Sequence, residues 1–239
     1  MRKLVLLFLI ITISPSVVLA HEGEVHFNYD AGTLPGERGY FWERIGEWFA
    51  LNLFTISTKG KQEKSLRLAD ERVAEFLELL TERGLQPQAL QETLRRYAYF
   101  LRRAEDMAEK IIFLDGAEIG LAEKLEQATR LHEEVLAQLL PDLKPELRSS
   151  VNEGLITARN ENEKIFRFMV KNYQSNETDI DKHRRILEEH IELIGRLLRE
   201  DNSNAVQIRD FRAEARKFQA AGLNLQAYDL IQKAKNVLY

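Results

Sequence analysis

"PQALQETLRRYAYFLRRAEDMAEKIIF", Pro87 to Phe113, places Leu90, Leu94, Tyr97, Leu101, Ala104, Ala108 and Ile111 at alternating steps of four and three. That spacing holds one apolar stripe on one side of a helix and is the seam of antiparallel and coiled-coil helix pairs. Upstream, Lys59 to Arg83 repeats the pattern with Leu66, Ala69, Val73, Phe76, Leu77 and Leu80, and Gly84 with Pro87 supplies a stop and a restart. Downstream, Asp115-Gly116 predicts a break before a fourth helix carrying Leu121, Leu125, Ala128, His132, Val135 and Leu139; the alternative is one very long helix. Pro141 and Pro145 bracket a turn, after which Leu147, Val151, Leu155, Ala158, Ile165 and Met169 mark a fifth helix.

The polar run "NYQSNETDID" is the clearest internal boundary, with Thr178 and Asp181 at the spacing of a capping box. A sixth helix bears Leu187, Ile191, Ile194 and Leu198, and a seventh bears Ile208, Phe211, Ala215 and Phe218 and closes at Gly222. The last carries Ala227, Ile231, Ala234 and Leu238. No alternating strand pattern interrupts them, so the expected class is all-α, an elongated antiparallel bundle of seven or eight helices.

The chain opens "MRKLVLLFLIITISPSVVLA", a basic start, an apolar run and a small-residue ending at Ala20, the layout of a secretory signal peptide. The rival reading is an uncleaved anchor, although the apolar run is about half of what a spanning helix needs. Residues 21–38 are polar and turn-rich and read as a flexible tether, 39–175 as the main helical domain and 176–239 as C-terminal hairpins. Removing Arg2 and Lys3 with the leader takes the formal charge from -4 to -6. Nucleic acid is a poor partner for such a chain, and no stable membrane span is expected after cleavage. With no cysteine there is neither disulfide nor thiol chemistry.

The order "LPGERGYFWERIGEWFALNLF", then "LADER", then "HEEVL" resembles the exported prokaryotic family called domain of unknown function 5667. The residues that carry the likeness are Leu34, Pro35, Gly36, Tyr40, Arg44 and Glu47, Leu68 to Arg72, and His132, Val135 and Leu136, within about Thr33 to Tyr173. Ser57-Thr58 stands where relatives have Asp-Pro. The resemblance implies an extracytoplasmic helical domain and no particular activity. At the C-terminus, "AGLNLQAYDLIQKAKNVL" has the small and bulky spacing of a tetratricopeptide-like helix pair, one unit and too few to form a solenoid.

The first helix presents the sharpest choice. Trp42, Ile45, Phe49, Leu53 and Ile56 share one face, flanked by Phe41 and Trp48, with Glu43, Arg44 and Glu47 opposite. Interfacial helices pair such a face with several Lys and Arg, which this one lacks. The expectation is therefore that Trp42 and Phe49 plug the core against Phe76, Leu80 and the third helix. If the face stays exposed, Phe41, Trp42, Trp48 and Phe49 mark a partner surface.

His132 lies in its seam and reads as a buried histidine bonded to a neighbouring helix, while His183 and His190 read as part of a solvated flank. The many Asp and Glu read as solvated helix faces paired at three- and four-residue spacing. No catalytic motif is present, so the expected function is a non-enzymatic module of the cell envelope or secreted space that binds an unknown protein partner or acts as a spacer; a cryptic enzyme is the outside alternative. A metal alternative starts from "HEGEVH": cleavage after Ala20 would free the His21 amine, which with its imidazole and with His26 suits Cu(II).

Overall fold

The computed structural model describes residues 29–82, 87–115, 119–173, 177–198 and 202–239. Among these, eight α-helices form the molecule and no strand is present. They are α1 (Tyr40–Phe49), α2 (Thr58–Glu82), α3 (Pro87–Asp115), α4 (Ile119–Leu139), α5 (Pro145–Asn172), α6 (Glu177–Leu197), α7 (Ala205–Ala220) and α8 (Asn224–Leu238). The leader, His21, His26 and the Gly116 junction lie outside the described residues.

All seven seam residues of α3 are buried. The most extensive packing is between α2 and α3, and the link of only four positions between two helices of 25 and 29 residues makes them antiparallel. α4 and α5 form a second hairpin, and α5 lies against α3. Gly154 of α5 permits that close approach, since a Cβ there would stand 3.4 Å from Leu94 of α3 and Leu136 of α4. At the hairpin bend Pro145 occupies the first turn of α5, where its missing N–H costs nothing. Arg148 there donates to the Leu143 and Pro141 carbonyls.

α7 and α8 form a third pair, joined through a tight helix end. Gly222 has φ of +74°, Leu223 N–H donates to the Phe218 carbonyl and Gly222 N–H to that of Gln219, a Schellman closure that favours glycine. The apolar core is continuous from Ala31 to Ala234 and crosses the boundary expected near residue 175.

Residues 29–38 correct the tether expectation. Leu34 is 2% exposed and Ala31 is also buried in the core. Leu34-Pro35-Gly36-Glu37 is a type II turn: the Glu37 N–H donates to the Leu34 carbonyl at 3.0 Å, and Gly36 takes φ of +93°, which that turn requires at its third position. Glu37 Oε2 accepts from Leu34 N–H and Glu43 Oε2 from Thr33 N–H, so the turn is tied to the start of α1.

Candidate functional site

α1 is docked the other way round from the sequence expectation. Its inward residues are Tyr40, Glu47 and Leu51, Arg44 is exposed at the rim, and the aromatic face looks outward. Trp42 is 71% exposed, Phe41 64% and Trp48 57%; Leu53, Phe54 and Ile56 are exposed as well, and Phe49 is partly so. The plug reading of Trp42 and Phe49 is thus overturned. The helix continues beyond Phe49 as a π-helical turn, Ala50–Phe54, which carries Leu51 inward and Phe54 out.

The physical cause lies in α2 and α3. Arg72 is 1% exposed and Arg96 8%, and two guanidiniums at a helix junction require carboxylates, because a buried charge without a partner is strongly unfavourable. Glu47 provides one: Oε1 accepts from Arg72 at 2.8 Å and Oε2 from Arg96 at 2.6 Å. Glu75 provides the other, 2.7 Å from Arg72, and also accepts from the Thr93 hydroxyl. Arg96 donates in addition to the Tyr40 hydroxyl. Burial pushes the Glu75 carboxyl above its usual range, with Arg72 opposing it. Turning α1 by half a revolution would bury the aromatics, leave Arg96 without its carboxylate and leave Arg72 with the carboxylates of its own helix.

The sequence signatures therefore have structural roles. Tyr40, Glu47 and Arg72 meet in this joint, Leu34 is buried in the core, and Asp70 of "LADER" accepts from His132 Nε2 at 2.8 Å. His132 Nδ1 lies 3.3 Å from the Tyr97 hydroxyl, so this histidine is buried and bonded across helices as expected.

Above the joint runs a groove of about 830 Å³ between α1 and α3. The Glu47–Arg96 pair forms part of its floor, and Trp48, Leu51, Tyr99 and Phe100 contribute apolar wall. Five arginines line it (Arg44, Arg95, Arg96, Arg102 and Arg103) against three carboxylates, Glu47, Glu92 and Asp106. Arg103 donates to the Tyr99 hydroxyl and to Asn52 Oδ1, and Asn52 donates to the Trp48 carbonyl, tying groove and ridge together. A second hollow on the outer face of α1 shares Arg44 and Trp48 with it. The sequence reading missed Arg96, Arg102 and Arg103. Their signal was the repeat Leu94-Arg95-Arg96 and Leu101-Arg102-Arg103, seven residues apart and so on one helix face.

A second ionic centre joins α4, α5, α6 and α8. Lys235 and Glu133 are fully buried and bonded, Lys235 Nζ lies 3.1 Å from His190 Nδ1, and His190 Nε2 lies 3.0 Å from Glu126 Oε1. Since Nδ1 accepts from Lys235, the neutral ring carries its proton on Nε2, facing the Glu126 carboxylate. Burial, reinforced by Lys235, pushes His190 down to about 4. Burial also lowers Lys235, with Glu133 opposing it. Asn162 links Glu126 to the Tyr228 hydroxyl, and Tyr228 stacks on Phe166 at 4.2 Å.

His183 and His190 are therefore buried, not solvated, and His183 sits beside Phe166 with both ring nitrogens unbonded among the described residues. Nor are the acids uniformly on solvated faces, since Glu47, Glu75, Glu105, Glu126, Glu133 and Glu161 are buried. Burial and the neighbouring Glu161 raise Glu105 to about 8. Among the described residues, no group of three or more His, Cys, Asp or Glu is placed to hold a metal, and no helix is long and apolar enough to cross a membrane.

Residues 32–146 match the family described as domain of unknown function 5667. This segment, just under half of the chain, is what is similar to that family. The domain of unknown function thus spans the turn at Leu34, the ionic joint and α1 to α4, and it ends at the second residue of α5, short of the Tyr173 limit expected from the sequence. No curated protein and no solved structure matches the chain.

Proposed function

We propose that this protein is a non-enzymatic, exported helical module that holds a protein partner on the aromatic face of α1, at the cell envelope or outside it. One observation carries the reading: α1 is fastened to the bundle by its polar stripe, leaving Phe41, Trp42, Trp48, Leu53, Phe54 and Ile56 in water. A contiguous exposed patch of that kind marks an interaction surface, and Trp is among the side chains that dominate protein interfaces. Export is supported by the leader-like residues 1–20. The absence of enzymatic activity is supported by the sealing of the second ionic centre, where His190, Lys235, Glu126 and Glu133 are each 1% exposed or less.

Photo-crosslinking in the producing cells tests this, with the photoreactive group placed at Trp42 or Phe54 and, as a control, at the exposed Asp181 of α6. One discrete protein adduct from the two ridge positions, absent from the control and lost in a Trp48→Ser background, is the expected result. Adducts to lipid alone would overturn it. Copper binding at a processed His21 terminus with His26 is a separate proposal, resting on the sequence at the expected cleavage point. It is tested by copper titration of chains that begin at His21 and at Glu22.

A further inference from the structure

We infer that the partner segment is an acidic amphipathic helix, laid along α3 in the groove with its carboxylates on Arg102 and Arg103; this rests on the docking reading above. The argument begins with a heptad comparison inside α3. Arg95 and Arg96 each have a carboxylate, Glu92 at 2.7 Å and Glu47 at 2.6 Å. One heptad later, Arg103 bonds only the neutral Tyr99 and Asn52 oxygens, and Arg102 has no ion pair among the described residues. Asp106, one turn further on, makes no ion pair with either. Among the described residues the groove's arginines are thus ion-paired at its Glu92 end and without an ion pair at the other, on a chain whose net charge is -4. Unmatched guanidiniums beside an apolar wall select carboxylates carried on an apolar scaffold, through forked hydrogen bonds.

Shape decides between a rod and a plane. The groove follows α3 from Glu92 to Met107, about 22 Å at the helical rise, the length of a helix of about four turns. A helix is about 10 to 12 Å across and can lie between two ridges. A bilayer surface could rest on Trp42 and Phe54 but would not enter the groove, and α1 offers lipid headgroups the single cation Arg44, where interfacial helices carry several.

The chain contains two tryptophans, Trp42 and Trp48, both on α1, so intrinsic fluorescence reads this site directly. The full chain is titrated with three synthetic helical peptides of about 18 residues that share one leucine stripe and carry Glu, Gln or Lys elsewhere, and separately with phosphatidylcholine vesicles. The Glu peptide is expected to bind at least about tenfold more tightly than the Gln peptide, with the gap closing as salt rises from about 0.05 to 0.5 M. The gap should also vanish in the Arg102→Gln/Arg103→Gln variant, whose unaltered circular dichroism and melting curve would certify its fold. Equal binding of the Glu and Gln peptides overturns this inference and leaves the docking surface standing. Failure of all three peptides, with or without a response to vesicles, counts against both.

Discussion

The two buried ionic centres solve the same problem with different side chains, and the difference separates an open site from a sealed one. The centre under α1 uses Arg72 and Arg96 with Glu47 and Glu75, and a groove opens above it. The centre under α8 uses Lys235 and His190 with Glu133 and Glu126, and α5, α6 and α8 close over it. Guanidinium holds its charge at any ordinary pH, whereas burial shifts lysine and histidine toward their neutral forms. The first centre is therefore a fixed fastening for a helix whose outer face is free, and the second makes the C-terminal half sensitive to pH.

The largest test of that contrast removes Lys235. Lys235→Met leaves Glu133 buried with Arg159 at 3.6 Å, and urea denaturation should show a loss of about 3 to 5 kcal/mol, as for any buried pair broken on one side. A loss under about 1 kcal/mol would mean the centre is not sealed.

Next comes pH. His190 titrates at about 4 in the folded protein against an ordinary 6.5, so the unfolded chain takes up the proton first as pH falls. Its contribution is fully present above about 6.5 and is lost toward 4, a change of about 3 kcal/mol that His190→Gln should flatten. Glu105 works with the opposite sign. Its carboxyl is raised from 4.5 to about 8, so the stability it lends is present below 4.5 and is lost as pH rises toward 8, and Glu105→Gln should remove that alkaline slope. Denaturation midpoints across this range in wild type and the two variants separate the effects.

Glu47→Ala should cost less than the Lys235 variant, about 1 to 3 kcal/mol, because α1 can lift away and let Arg72 and Arg96 hydrate. Limited proteolysis should then cut within 39–57 while α2 to α8 stay intact. An unchanged cleavage pattern would show that α1 is held by something other than the ion pairs. The smallest effect belongs to the ridge. Trp42→Ser should shift stability by no more than about 0.5 kcal/mol, whereas a core plug at Phe49 predicts about 3 to 5 kcal/mol for Phe49→Ala.

The helices themselves were legible in the sequence. Every seam position of α3, from Leu90 to Ile111, and every marked position of α5, from Leu147 to Met169, is buried. The reason is local: residues three and four apart share a face, so periodicity records burial without reference to distant parts of the chain. Proline at the start of α5 and glycine at the end of α7 act on their own backbone and were equally readable.

Tertiary structure alone decided which face of α1 points inward. By hydrophobic pattern the aromatic side is the core side, but Glu47 answers arginines 25 and 49 residues away, and no local window contains that pairing. His190 likewise looked solvated because its partner Lys235 lies 45 residues on, and Glu133 meets Lys235 across 102 residues. Apolar burial is nearly additive along a helix and shows in sequence. Pairing of buried charges is a long-range geometric condition, and here it set the orientation of the helix that bears the exposed surface.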